Sequence, residues 1–237
     1  MISNKDKAYR KILEDFNVLS RLTIRQMKLL SKVLTSEPNQ RPESVFHQLM
    51  ANEDKLDQLE VKISNRIIKT IVLYHPVATE LRNIMACYRM ITNLERIGDL
   101  VMKAYRTLDS NHENALLLQN IKKIDRMLSL SRKMVLRAVD SFLENDLDSA
   151  MWTLKNDAMV DTMHQKTMTH ILEEEDLNEI SRQKMLDFGA VKSVISRIER
   201  MADHAAHIAE ASIYAHNGED IRHAQSSEKK EEEDEES

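Results

Sequence analysis

The chain has 237 residues, of which three are glycine and three are proline, while 31% are charged; this composition is typical of long helices with solvated faces. Aromatic residues make up 4% and there are 14 methionines, so an aliphatic, Met-containing core is favoured over a β-sandwich. Residues 228–237 hold seven acids and two lysines and account for the whole net charge of −5, so the remainder is neutral and gives no indication of nucleic-acid binding.

The compartment can also be inferred from the composition. Cys87 is the single cysteine, which excludes an internal disulfide. The first ten residues are polar and charged, without the apolar segment of a signal peptide. No uncharged apolar run approaches the roughly 18 residues that a membrane helix needs. We therefore expect a cytoplasmic protein without direct membrane insertion, ending in a disordered acidic tail at 225–237.

Apolar residues recur at helical spacing in six consecutive segments. The stripe of the third segment, for example, consists of Leu81, Ile84, Ile91, Leu94 and Val101. The predicted helices span residues 7–34, 42–74, 77–108, 115–145, 147–174 and 181–214.

Several residues mark the boundaries of these helices. Pro38 and Pro42 interrupt the pattern after the first helix, and Pro76 ends the second because proline disfavours a helical residue before it. Ser181 is a suitable N-cap for the sixth helix, and Gly218 is a suitable stop signal beyond it.

A shift of 104 residues aligns two separate segments of the sequence. LERIGD at 94–99 falls on IERMAD at 198–203. The same shift relates three positions of the second and fifth helices: Glu53 to Asp157, Leu56 to Val160 and Asp57 to Asp161. Agreement on one offset indicates a duplication. The sequence thus predicts an all-α fold of two tandem three-helix bundles, residues 1–110 and 111–224, related by an internal pseudo-twofold duplication. The first helices require a different offset, because the first connection is longer in the N-terminal half.

The matched segments contain four pairs of acids at a spacing of four residues. On a helix, this spacing places both carboxylates on one face, where they repel each other unless a cation compensates. If the second and third helices of each half are antiparallel neighbours, two pairs converge and offer oxygen ligands suited to Mg²⁺, Ca²⁺, Mn²⁺ or iron. The pairs are Glu53/Asp57, Glu95/Asp99, Asp157/Asp161 and Glu199/Asp203.

A structural role for these acids is the alternative. A single such pair is most often part of a solvated face, and Arg96 and Arg200 follow the acids closely enough to neutralise them as salt bridges. The duplication of all four pairs favours the metal hypothesis.

Histidines near the pairs could complete a metal shell. His164 follows Asp161 by three residues, and its counterpart in the first half is Glu60, which is also a possible ligand. His204 aligns with Leu100, so it has no counterpart, and we interpret His204 and His207 as residues outside the metal shell.

Four stretches of the sequence resemble signatures of the PhoU family. They are HPVATELR at 75–82, LERIGD at 94–99, IERMADHAAHIAE at 198–210 and YAHNGE at 214–219. The resemblance covers about residues 7–223, with both repeats in order. The second repeat departs from the first at Met201 and Ala202, where the first has Ile97 and Gly98.

The resemblance implies two three-helix bundles with multinuclear clusters of iron, zinc, manganese or magnesium held by the paired acids. It also implies a negative regulator of phosphate uptake and phosphate-starvation signalling. Its partners would be the ATPase of the phosphate ABC transporter and the phosphate-sensing histidine kinase. A homodimer is expected for a small symmetric helical protein.

Two other functional classes remain open. One is a detached accessory domain of a sodium–phosphate or other phosphate permease. The other is a di-iron carboxylate enzyme, although such bundles use Glu-x-x-His motifs that this sequence lacks. No phosphate-binding glycine loop and no nucleophile–base constellation are present, so we expect a binding protein rather than an enzyme.

Overall fold

The computed structural model describes residues 3–36, 43–174 and 181–218, and all regular structure in these ranges is α-helical. The predicted acidic tail at 225–237 lies outside the described residues. The six helices are α1 (Asn4–Thr35), α2 (Glu43–Tyr74), α3 (Thr79–Ser110), α4 (Ala115–Leu143), α5 (Leu147–Glu174) and α6 (Arg182–Asn217). None of them combines the length and hydrophobicity that a bilayer span requires, within the described part of the chain.

Local sequence explains where the helices begin and end. Ser3 and Asp6 form a capping box at the start of α1. The predicted N-cap of α6 is confirmed, because the Ser181 side chain accepts a hydrogen bond from the Lys184 backbone N–H. Gly218 adopts the left-handed conformation that ends α6 with a C-cap bond to the Tyr214 carbonyl.

The helix bounds differ from the expected ones by up to three residues, and one residue of the predicted stripe is not buried. His75 and Ala78 both have positive φ, so the connection around Pro76 is longer than predicted and α3 begins at Thr79. Asn145 also has positive φ, and α4 therefore ends at Leu143. The assignment of Leu81 to the buried stripe was wrong: the first turn of α3 projects beyond the core and leaves this side chain 36% exposed.

Each half is a three-helix bundle in which the first helix is antiparallel to the second and parallel to the third. In the first half, Lys62 and Arg66 of α2 both pair with Asp15 of α1, while Thr23 of α1 donates to the Leu94 carbonyl of α3. The halves meet through α1 against α4 and α3 against α6. The inner layers are therefore α1 with α3 and α4 with α6, and α2 and α5 cover their outer faces.

The pseudo-twofold relation extends to individual hydrogen bonds. The Thr23 hydroxyl donates to the carbonyls of Leu19 and Leu94. In the second half, the Ser131 hydroxyl makes the same two contacts, with Met127 and Ile198. Thr23 and Ser131 are 108 residues apart, whereas Leu94 and Ile198 are 104 apart. The difference of four equals the extra length of the α1–α2 connection over the α4–α5 connection.

The core is continuous across the two halves. Phe16 of α1 and Phe142 of α4 meet edge to face, with ring centroids 5.5 Å apart. Polar contacts at the same interface join Ser31 to Asp125 at 2.5 Å and Arg197 to Thr107 at 2.8 Å. Both bundles therefore share one hydrophobic core, and the predicted fold of two tandem three-helix bundles is confirmed.

Candidate metal centres

The antiparallel packing of α2 and α3 brings the first two acid pairs together as an N-terminal cluster of Glu53, Asp57, Glu95 and Asp99. Burial raises the pKa of Glu53 to about 7, and the charges of Asp57, Asp99 and Glu95 add to this effect. Burial likewise raises the pKa of Glu95, with Asp99 and Asp57 as the next contributors. The four predicted residues thus lie in one mutually repelling group.

Two residues absent from the prediction contact this N-terminal cluster. Gln26 of α1 donates from Nε2 to Glu53 Oε2 at 2.8 Å. Lys103, one turn after Asp99 on α3, pairs with the Asp99 carboxylate at 2.8 Å. Asp57 is exposed. The cluster is therefore anchored at its buried end by a neutral amide and partly neutralised at its outer end by a lysine.

The C-terminal cluster, formed by Asp157, Asp161, Glu199 and Asp203, is tighter. One carboxylate oxygen from each of Asp161, Glu199 and Asp203 lies within 4.8 Å of the other two, the only such triad among the described residues. Burial raises the pKa of Asp157 to about 6, followed by repulsion from Asp203, Asp161 and Glu199. Asp157 Oδ1 is buried and has no hydrogen-bond partner within the described chain. The acids of this cluster thus lie close together, and no direct ion pair to any of them is present in the described ranges.

The donors of both clusters fit a hard or borderline multivalent cation. Carboxylate oxygens are the preferred ligands of Mg²⁺, Ca²⁺ and Mn²⁺ and also serve iron and zinc. The unpartnered Asp157 Oδ1 and the raised pKa values are what a site lacking its counter-charge is expected to show. When bound, such a cation would supply positive charge that holds α2 against α3 or α5 against α6.

The two clusters differ in the packing beneath them. A Cβ at Gly98 would lie 2.6 Å from Leu56 Cδ1 and 3.2 Å from Glu53 Oε2. In the second half, the counterparts of Leu56 and Glu53 are one carbon shorter, and the counterpart of Gly98 is alanine. The longer side chains of the first half therefore occupy the space that the methyl group fills in the second. The counterparts of Leu56, Glu53 and Gly98 are, in this order, Val160, Asp157 and Ala202.

The salt-bridge alternative gains no support from Arg96 and Arg200. In the ranges that the structure describes, neither arginine forms an ion pair with the eight acids; the acid that is paired, Asp99, uses Lys103. Burial raises the pKa of Glu95, Glu199 and Asp203, and neighbouring acids add to the rise. Both arginines act at longer range and offset a small part of it, Arg96 at Glu95 and Arg200 at Glu199 and Asp203.

The histidines divide into two groups. His164 lies near Glu199: burial and Asp203 raise the pKa of Glu199, and His164 offsets part of that rise. The Nε2 atom of His164 is 3.4 Å from Ser196 Oγ. His204 instead bonds Asn93 of α3 through Nδ1 at 2.8 Å, and burial lowers its pKa to about 4. His204 therefore faces the α3–α6 interface, whereas His164 borders the C-terminal cluster.

A cleft of about 370 Å³ opens between α3 and α6, beside Asn93, the residue that His204 contacts. Arg89 lies over the ring of Tyr214, 5.2 Å from its centroid, and Arg96 and His207 line the same cleft. The sequence alone did not indicate this cleft, because it forms between helices of different halves.

The fold and the two acidic clusters define a duplicated, all-helical protein with two carboxylate-rich sites. A family model described as the PhoU domain matches the chain twice, at residues 16–107 and 124–212. The chain therefore belongs to the PhoU family, and the resemblance drawn from the sequence motifs is confirmed.

Individual relatives agree over nearly the whole length. A PhoU homologue of Aquifex aeolicus described as a phosphate-specific transport system accessory protein is 31% identical, covering 92% of this chain and 99% of the relative. The similarly described protein of Serratia marcescens is 28% identical, covering 82% and 78%. The crystal structure of PhoU from Pseudomonas aeruginosa superimposes with a TM-score of 0.80 at 22% identity, covering 90% and 99% of the two chains. At this identity the last comparison shows the fold alone.

Proposed function

We propose that this chain is a negative regulator of phosphate uptake and phosphate-starvation signalling. The similarity to proteins described as phosphate-specific transport system accessory proteins supports this role. A relative of known structure from Streptococcus pneumoniae is described as a phosphate transport system regulatory protein. The expected partners are the transporter ATPase and the phosphate-sensing histidine kinase in the cytoplasm, contacted by a homodimer. The role is one of binding rather than catalysis, in keeping with the family.

The proposal includes metal binding by the eight paired acids. The observation that carries it is the approach of Asp161, Glu199 and Asp203 to within 4.8 Å of one another, next to the unpartnered Asp157 Oδ1. Three carboxylates in such a space, with the fourth of Asp157 beside them, repel one another strongly unless a cation is shared. Iron, zinc, manganese and magnesium all accept this donor set.

Metal content of the purified protein tests this part. Asp99→Ala combined with Asp203→Ala removes one carboxylate from each cluster and is expected to lower bound metal, measured by elemental analysis. Asp54→Ala, an exposed acid on α2 next to Glu53, is the matched control and should leave the content unchanged. Equal metal content in the double variant and the wild type would reject the site assignment.

Deletion of the gene in its own host tests the regulatory part. Phosphate-starvation genes should be expressed even at high phosphate, and reintroducing the wild-type gene should silence them. Silent starvation genes together with unaltered phosphate uptake would contradict the proposal. Altered uptake with silent genes would instead favour a role as an accessory domain of a phosphate permease.

A further inference from the structure

Gln26 of α1 stands out among the polar residues of the first bundle. Its side chain is completely buried, yet Oε1 has no hydrogen-bond partner within the described chain. A buried carbonyl oxygen left unpaired destabilises a protein, because it loses its hydrogen bonds to water and gains none in return. The other end of the same amide, Nε2, donates to Glu53 Oε2 at 2.8 Å. The planar amide therefore lies directly against Glu53, the most buried acid of the N-terminal cluster, with its oxygen unpaired.

The corresponding position of the second bundle carries no polar group. The paired hydroxyl contacts of Thr23 and Ser131 fix the offset between α1 and α4 at 108 residues. Gln26 therefore corresponds to Met134, which is fully buried in the core. A methionine satisfies this packing position, so the amide of Gln26 is not required by the helix or by the fold.

The two clusters also differ in the positive charge beside them, and this difference favours an additional neutral ligand in the N-terminal cluster. Lys103 pairs with Asp99 and would compete with a cation for that carboxylate. Its counterpart under the 104-residue shift is His207, and the described chain shows no ion pair from His207 to Asp203. A neutral oxygen donor adds to coordination without adding to the repulsion among the acids.

We propose that Gln26 is a residue of the N-terminal metal site, orienting Glu53 through Nε2 and supplying Oε1 to the cation or to a water bound to it. The two clusters are then unequal sites. The N-terminal one takes a carboxamide oxygen from a third helix, and the C-terminal one relies on α5 and α6. A hard divalent cation such as Mn²⁺ is the ligand that this oxygen set suits. This inference rests on the proposed metal binding.

The test measures Mn²⁺ affinity of the full-length, metal-stripped protein by calorimetric titration. Asp161→Asn with Asp203→Asn disables the C-terminal cluster, and Asp57→Asn with Asp99→Asn disables the N-terminal one. In the first background, Gln26→Met should weaken Mn²⁺ binding about 10- to 100-fold, as loss of an outer-shell partner or ligand does. In the second background, Gln26→Met should change the Mn²⁺ affinity of the C-terminal cluster less than twofold. The second background therefore serves as the control for the first.

A second substitution separates a ligating role from a packing role. Gln26→Glu keeps an oxygen at the same reach and loses only the Nε2 donor to Glu53, so it should bind Mn²⁺ at the N-terminal cluster more tightly than Gln26→Met does. Equal losses of affinity in Gln26→Met and Gln26→Glu would show that Oε1 is not a donor. Equal effects of Gln26→Met in both backgrounds would likewise overturn the inference. If neither background binds Mn²⁺ before Gln26 is changed, the inference about Gln26 fails. The proposed metal function fails with it only if elemental analysis of the wild type also finds no iron, zinc, manganese or magnesium.

Discussion

Gly98 marks a difference between the two halves of the molecule, because its counterpart in the second half, Ala202, has one additional methyl group. Its place on α3 leaves no room for a Cβ, because Leu56 Cδ1 would be only 2.6 Å away. The helical propensity of alanine favours the substitution, whereas the steric overlap opposes it. Overlap of this size with a buried side chain is the larger effect.

Gly98→Ala is therefore expected to lower the free energy of unfolding by about 1–3 kcal/mol, measured by urea denaturation. Adding Leu56→Val and Glu53→Asp, which installs the residue set of the second half, should restore most of the loss. Gly189→Ala is the control: nothing lies within 4 Å of a Cβ there, so this exposed helical site should gain up to about 1 kcal/mol. A neutral Gly98→Ala would contradict the packing described for the N-terminal cluster.

The raised pKa of Glu53 predicts a pH dependence of stability. Because the folded-state pKa is about 7 against a usual value of 4.5, the protonated native form is favoured at low pH, and this stabilisation is lost as pH rises toward 7 and beyond. Asp57, Glu95, Asp99 and Gln26 are the neighbouring groups that Glu53 faces. Replacement by a neutral amide removes the effect.

In metal-free protein with a chelator present, Glu53→Gln should therefore gain stability relative to the wild type between pH 5 and pH 8. The gain should be on the order of 1 kcal/mol after solvent screening. Comparing the two proteins cancels the opposite contribution of His204, whose pKa is lowered. Asp54→Asn should show no such trend, and a constant difference between wild type and Glu53→Gln across this range would refute the assignment.

At the scale of the elements, the α2–α3 connection contains the least favourable backbone in the described chain. His75 and Ala78, on either side of Pro76 and Val77, both have positive φ, and Ala78 lies at φ 48° and ψ −118°. Residues with a Cβ rarely adopt such angles. The Ala78 carbonyl nevertheless accepts the first bond of α3, from Arg82 N at 3.0 Å, so the conformation is held by the helix that follows.

Ala78→Gly is expected to stabilise the protein by about 1 kcal/mol, because glycine adopts positive φ without steric penalty. For a chain of this length, the melting temperature should rise by about 2–4 °C. Ala51→Gly, an exposed interior position of α2, should have the opposite sign through loss of helix propensity. A lower melting temperature for Ala78→Gly would mean that the connection does not adopt this conformation in solution.

At the scale of the whole molecule, the two bundles share one core through the contact of Phe16 with Phe142. Phe16→Ala should destabilise by about 3–5 kcal/mol, as for other buried aromatics. Trp152 is the single tryptophan and lies on α5, so its fluorescence reports on the second half. The shared core leads us to expect that the halves unfold together, so Phe16→Ala should move the denaturation midpoint of Trp152 fluorescence as far as the midpoint of total helicity.

Phe46→Ala is the comparison for this experiment. Phe46 is 37% exposed and stacks on Tyr105 within the first half, so its loss should shift the Trp152 transition much less. If Phe16→Ala leaves the Trp152 midpoint in place while helicity is partly lost at a lower denaturant concentration, the bundles unfold independently.

Features that repeat along the chain could be predicted from the sequence, whereas contacts between distant helices could not. The repeat at 104 residues predicted the halves, and the acid spacing predicted which acids lie near one another, because both are periodic along the chain. Metal binding by these eight residues stays a prediction. The pairing of α1 with α4 and of α3 with α6 was not predictable, since each helix has more than one apolar face.

Gln26 and Lys103 were missed in the same way. Each is a single polar residue whose partner lies elsewhere, on another helix for Gln26 or one turn back for Lys103. The signal that could have revealed Gln26 is a glutamine inside the apolar stripe that includes Thr23, Met27 and Leu30. The helical period placed it in the core, where an amide needs a partner.

The exchange of Gly98, Leu56 and Glu53 for Ala202, Val160 and Asp157 also restricts the order in which two copies of one ancestral unit can have diverged. Lengthening valine or aspartate while the alanine methyl remains leads through a clash, as the 2.6 Å approach to Leu56 shows. Losing the methyl first leaves only a small void, which later growth of the neighbours refills. Whichever half is closer to the ancestral sequence, the intermediate without a clash combines glycine with the shorter valine and aspartate. We therefore infer that the two clusters diverged through this underpacked combination.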